Sequence, residues 1–230
     1  MSNDQLKPLR DELDSIDVEI QNLLTRRAEI SLEVKKVKGD GETKLKPGRE
    51  AQILRALIER HQGHFPKPEL IRIWREILSA SLQAQGPFLV AVYKPDDDGE
   101  EGWGYVASAR GHFGAHTPMV SHSSQRRVIE AVLEDECSVG ILPLPKRQED
   151  NPWWRHLAVQ GNATKNGVAS KPARIIAKLP FAAPVNSHGD TEGETLQCLV
   201  IAKSEADPSG LDGTYIALDL SQNIPNTRID

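Results

Sequence analysis

The sequence predicts an all-α domain, an intertwined helical dimer with three helices per chain and a long first helix, followed by a small α/β domain. Three observations carry this prediction. Apolar residues follow a helical period up to about residue 86. Past Gly86-Pro87 the pattern changes to short β-branched runs that hold most of the glycines and prolines. An acidic stretch, Pro95 to Gly102, sits at the change and reads as a solvated loop. The expected division is therefore 1–86, a linker at 87–102, and 103–230.

The first helix is the most informative element. Leu6, Leu9, Leu13, Ile16, Ile20, Leu23, Ile30, Val34 and Val37 recur at alternating steps of three and four, a heptad seam. Pro8 is tolerated in a first turn, and Gly39 is a natural stop. About 34 residues at ~1.5 Å each make a helix about 50 Å long, more than a domain of this size can cover. A second copy of the chain is the simplest partner for the seam. A second helix is expected from Pro47-Gly48 through Ile53, Leu54, Leu57 and Ile58 to Gly63. A third runs from Pro66-Lys67-Pro68 to about Gln85, with Leu70, Trp74, Ile77, Leu78, Ser81 and Gln85 facing inward.

Polar residues interrupt these stripes. Arg27 occupies a seam position that should be apolar, and burying it without an anion costs several kcal/mol. A structural ion pair across the dimer, with Glu12 or Asp17, or a register-setting role would account for Arg27 alone. Lys38, however, stands three turns further along nearly the same face. Arg10 is too distant to share a small ligand with Arg27 on one helix, but Arg10 of one chain can approach Arg27 of the other. Arg49 and Glu50 open the second helix, and Ser81 and Gln85 line the third. Four cations, one carboxylate and two neutral hydrogen-bonding groups describe a pocket for a small polyanion, with arginine suited to carboxylates. The helical part holds no Ser-His or Cys-His pair and no histidine cluster, and His61 and His64 read as a surface loop. The chemistry should need no nucleophile, metal or cofactor.

Bulk properties narrow the function classes further. A net charge of −5 gives no basic excess for nucleic acid. The apolar runs are too short for a membrane span, and the polar start lacks a signal-peptide pattern. Cys137 and Cys198 are expected to be reduced thiols of a cytoplasmic protein.

Residues 5–86 resemble the all-α chorismate mutases of aromatic amino acid synthesis. The likeness lies in Leu9-Arg10 followed by Ile16-Asp17, Leu23-Leu24-Thr25-Arg26-Arg27, Lys38, the Pro47-Gly48-Arg49-Glu50 turn, and Arg75 through Gln85. The resemblance implies a homodimer with two equivalent sites that rearrange chorismate to prephenate without a cofactor. It implies that Arg27, and Arg10 from the other chain, hold the two carboxylates. Lys38 and Gln85 would donate to the ether oxygen as its bond breaks, and Glu50 would hold the substrate hydroxyl. Arg49 and Ser81 would assist with that hydroxyl and a carboxylate. Lys46 departs from the acidic or neutral residue often found there. Gln85 is neutral where some fungal relatives have Glu, which implies no acidic optimum.

In the second half, strands are expected at Gly104–Ser108, Val139–Leu144, Ala173–Leu179, Leu196–Ala202 and Thr214–Leu220, with a helix from Ser124 to Glu134. Gly102-Trp103-Gly104 has dinucleotide-loop spacing but lacks the strand before and helix after, so that reading is rejected. His112, His116 and His122 read as surface residues rather than a metal site. Trp153-Trp154 should pack a helix or loop onto the core. This half resembles a degenerate, truncated prephenate dehydratase domain. The likeness rests on Ala109-Arg110-Gly111-His112-Phe113, on Val128 to Val132 leading to Gly140-Ile141-Leu142-Pro143, and on Leu199 to Ala202 with Pro208 to Thr214. Pro145-Lys146-Arg147 and Leu196-Gln197-Cys198 stand where that family has Glu-Asn-Ser and its catalytic Thr-Arg-Phe, so dehydratase activity is not expected. Alternatives to a mutase are a bifunctional mutase-dehydratase and a non-catalytic dimeric ligand-sensing module.

Overall fold

The structure is a computed structural model of the chain. It describes residues 3–39, 45–96, 100–146, 152–158, 164–165, 168–169, 171–181 and 196–217. Helix α1 spans Asn3–Lys38, and Gly39 ends it at φ +72°, a conformation glycine adopts without the steric cost of a Cβ. Helix α2 spans Pro47–Arg60 and α3 spans Lys67–Ala84, each with proline in the first turn. These are the three helices the periodicity predicts.

Among the described residues, the seam of α1 stays exposed. Leu23 is 69% exposed and Val37 89%, and Leu9, Leu13, Ile16 and Ile20 are also exposed. At ~1.5 Å per residue the helix extends about 54 Å, and among the described residues it packs mainly against α3.

The remaining elements build a sheet. In chain order they are β1 (Val90–Tyr93), α4 (Glu100–Phe113), β2 (Met119–His122), α5 (Gln125–Leu133), β3 (Val139–Pro143), α6 (Trp154–Ala158), β4 (Thr164–Lys165), β5 (Val168–Ala169), β6 (Arg174–Leu179) and β7 (Cys198–Ala202). Five strands form one sheet in the order β2-β1-β3-β7-β6, and β4 pairs with β5 separately. β1 is parallel to β2 and β3; β7 is antiparallel to β3 and β6. All five residues of β3 and of β7 are buried, as strands covered on both faces require.

Each face of the sheet carries its own core. One joins Val90, Val92, Ile141 and Val200 to Tyr105, Ala109 and Phe113 of α4, and also to Leu82 of α3 and to Leu45. The other joins Ala91, Leu142, Leu199 and Ile201 to Val128, Ile129 and Val132 of α5 and to Trp153. The helical half thus packs directly on the sheet. Trp153 is buried against the core as expected.

Several expectations are corrected. Residues 90–93, inside the segment read as a linker, form the strand between β2 and β3. Phe88 to Tyr93 is a continuous apolar run, as a strand covered on both faces requires. Gly104–Ser108 is not a strand but part of α4, where Tyr105 and Ala109 share the buried face at helical spacing. A strand therefore does precede Gly102-Trp103-Gly104, but these residues lie inside a helix rather than in a loop ahead of it. Residues 214–217 form no strand, and 218–220 lie outside the described residues. His112 is buried rather than at the surface, edge-on to Phe113 and Phe181 with ring centroids 4.6 and 4.7 Å away. Cys137 and Cys198 are unpaired and buried. Among the described residues, no helix is long and apolar enough to cross a membrane.

Candidate functional site

Helices α1 and α3 run side by side, and their facing surfaces are polar where a packed pair would be apolar. Arg27 Nη1 donates to Ser81 Oγ at 2.5 Å. One turn on along both helices, Gln85 Nε2 donates to Ser31 Oγ at 2.9 Å. The shared four-residue step makes these two rungs of one ladder. Ser81 donates its own hydroxyl proton to the Ile77 carbonyl at 2.8 Å, so it meets Arg27 with a lone pair. Arg27 is half-buried, and loss of water pulls its pKa below the usual guanidinium value. No charged group among the described residues offsets that loss. A desolvated cation of this kind is stabilised by an incoming anion.

The first turn of α2 holds a second cluster. Arg49 is exposed and Glu50 is half-buried. Glu50 Oε2 receives a hydrogen bond from Arg75 Nη1 at 2.8 Å, with the two side chains only 16% and 5% exposed. Burial raises the pKa of Glu50 above the usual carboxylate value; Arg75 opposes this shift and Asp207 adds to it. Burial likewise lowers the pKa of Arg75, with Glu50 opposing. The Arg75 guanidinium also lies over the Phe181 ring, 4.6 Å from its centroid.

Of the seven residues expected to form the site, one chain brings Arg27, Ser81 and Gln85 together and sets Arg49 and Glu50 side by side at the start of α2. Among the described residues, no hydrogen bond or ion pair joins the two groups; α3 borders both through Ser81 and Arg75. Lys38 is the last residue of α1, and its side chain lies outside the described residues. Arg10 is exposed near the other end of α1, about 26 Å from Arg27 along the axis. Within one chain it does not join the site.

Sequence reasoning missed Ser31, Arg75 and Asp207. The first two left a signal. Ser31 is one turn from Arg27, as Gln85 is from Ser81. Arg75, Leu78, Ser79 and Leu82 form a second stripe on α3, and all four are buried. Asp207 is far from α2 in sequence and left none.

Comparison with known proteins adds the following. Residues 9–86 match the family described as chorismate mutase type II. The chain is 31% identical over 152 residues to a bifunctional chorismate mutase/prephenate dehydratase of Pseudomonas aeruginosa, covering 64% of this chain and 40% of that protein. The values for the protein of the same name from Stutzerimonas stutzeri are 32%, 152 residues, 64% and 40%. A third, from Aquifex aeolicus, is 35% identical over 97 residues, covering 40% of this chain and 27% of that protein. The chain thus spans less than half the length of these relatives. A match of 152 residues necessarily reaches past residue 86.

Proposed function

We propose that this protein, whose residues 9–86 match the chorismate mutase type II family, catalyses the intramolecular [3,3] rearrangement of chorismate to prephenate. One observation supports this beyond the family match. Arg27, Ser31, Ser81 and Gln85 form a polar ladder between two helices, around a desolvated guanidinium that no charged group within the described chain neutralises.

In this reading Arg27 holds one substrate carboxylate and Arg10 of the partner subunit holds the other. Lys38 and Gln85 donate to the ether oxygen, where negative charge grows as the C–O bond breaks and the new C–C bond forms. Glu50 accepts from the substrate hydroxyl, and Arg49 and Ser81 assist. No proton is transferred. The rate comes from holding the folded conformer and from donors fixed where charge develops. Gln85 needs no protonation to donate, so activity does not require acid.

The exposed seam of α1 supports the dimer. A face of this length and apolarity is covered by a second copy, and the same pairing carries Arg10 into the partner's site. We place the mutase domain at 1–86 and a dehydratase-like α/β domain after it, from the strand at 90–93 onward, with the cytoplasm as its compartment. The test is direct: purified full-length protein should consume chorismate, followed by its ultraviolet absorbance, and yield prephenate. A rate equal to the uncatalysed one would reject the proposal.

A second reading, a bifunctional mutase-dehydratase, is favoured by the names of the relatives and by a match that extends past residue 86. Against it stand Leu196-Gln197-Cys198, with Cys198 fully buried and its thiol pushed up to about 12, mainly by burial. Phenylpyruvate formed from added prephenate would establish this second activity.

A further inference from the structure

Helix α2 starts without a cap of its own. The residue before it is Lys46, which makes no side-chain capping hydrogen bond. Pro47 has no N–H, so the amides of Gly48 and Arg49 are the first that need an acceptor. Both find one far along the chain. Asp207 Oδ1 accepts from the Gly48 N–H at 3.0 Å and Asp207 Oδ2 from the Arg49 N–H at 2.9 Å. The next amide, of Glu50, already bonds to the Lys46 carbonyl.

The contact continues along the helix. The Pro208 carbonyl accepts from Gln52 Nε2 at 3.1 Å, and the Ser209 carbonyl from Arg55 Nη2. The segment that does this is braced at both ends. Behind it is β7, wholly buried between β3 and β6. Ahead of it Asp212 accepts from the amides of Ser209, at 3.0 Å, and Gly210, at 3.2 Å. The helix is shaped to receive it. A Cβ on Gly48 would lie 2.3 Å from the Asp207 carbonyl oxygen and 2.8 Å from that of Pro208, so only glycine fits.

We propose that Asp207 is a positioning residue for the mutase site: through the amides of Gly48 and Arg49 it fixes the first turn of α2, and with it the Arg49 and Glu50 side chains that bind chorismate. This rests on the mutase reading above. It also gives the dehydratase-like half a part in the mutase reaction, as a clasp that completes the neighbouring domain.

The experiment uses full-length wild type, Asp207→Ala and Asp207→Asn, with two readouts: kcat and KM for chorismate, and amide hydrogen exchange at residues 48–50. Asp207→Ala should raise KM about fivefold, the fold-change that corresponds to a lost N-cap, with a smaller fall in kcat and faster exchange at Gly48 and Arg49. Asparagine, itself a good cap, should restore KM to within about twofold. General destabilisation would instead lower kcat with the active fraction and leave KM alone. Unchanged KM with active wild type, or a fall in kcat alone, overturns the proposal, as does exchange that does not rise. If Asp207→Ala does not fold, Gly48→Ala, which pushes the segment away, is measured in its place with the same expectations. If wild type does not convert chorismate, the mutase reading fails and takes the positioning role with it. The exchange data then still show whether the clasp exists.

Discussion

Arg75 reaches from α3 to Glu50 on α2 and meets it at 2.8 Å with almost no water around either side chain. Such a pair contributes little relative to an apolar one of the same shape, but breaking it leaves a buried charge without a partner. Arg75→Met should therefore destabilise the protein by about 3 kcal/mol or more, read as a lower urea midpoint with an unchanged slope. The double variant Arg75→Met, Glu50→Gln should recover part of that loss.

Removing Arg27 tests the ladder between α1 and α3. Arg27→Ala should lower kcat/KM for chorismate by about a hundredfold, the scale of losing charge-assisted hydrogen bonds to a carboxylate. Ser31→Ala removes only the acceptor for Gln85, and a fall of about tenfold or less is expected. The order of these effects, from steady-state kinetics, is the check.

In the proposed dimer, the exposed seam makes activity depend on assembly. Leu23→Asp places a charge at a position that the proposed dimer buries. The variant should sediment as a monomer and lose most of its turnover, because Arg10 of the partner subunit is then missing. Retained activity in a monomer would mean that the site is complete in one chain.

Acid should weaken the fold through His112. Burial beside Phe113 and Phe181, with Arg75 adding to it, holds its pKa well below the ordinary 6.5. The folded protein keeps this ring neutral while the unfolded chain takes up a proton. The stabilisation is thus complete above pH 6.5 and is lost as pH falls towards the folded value. Glu50 has the opposite sign. Its raised pKa favours the folded state below the ordinary 4.5, and that contribution is lost as pH rises through the raised value. The difference between wild type and His112→Leu isolates the histidine. From about pH 7 to about pH 5, the Tm of wild type should fall more steeply than that of the variant.

The helical half was legible because its periodicity is long and its punctuation strong. Pro47 and Pro66 mark starts, Gly39 marks a stop, and nine apolar positions share one seam. Arg27 stood out because a cation there contradicts that seam. The sheet was legible only in part. β3, β6, β7 and α5 match their expected bounds within a residue or two, whereas α4 carries three glycines, which hide its helical period in the sequence. The strand at 90–93 falls inside the stretch read as a linker, next to the acidic segment. What the sequence could not show is pairing at long range: the partner of Glu50 is 25 residues away, and the cap of α2 is 159 residues from Gly48. No local pattern encodes either distance.

Helix α3 is a shared beam. One side meets α1 through Ser81 and Gln85, and the other buries Arg75, Leu78, Ser79 and Leu82. A polypeptide cut after residue 86 would keep the first side and strip the second of its cover, leaving Leu82 without the sheet and Arg75 without Phe181. The helical half is consequently not a module that can be transplanted as it stands. Grafting it elsewhere would require repainting that flank with soluble side chains and giving α2 a local cap.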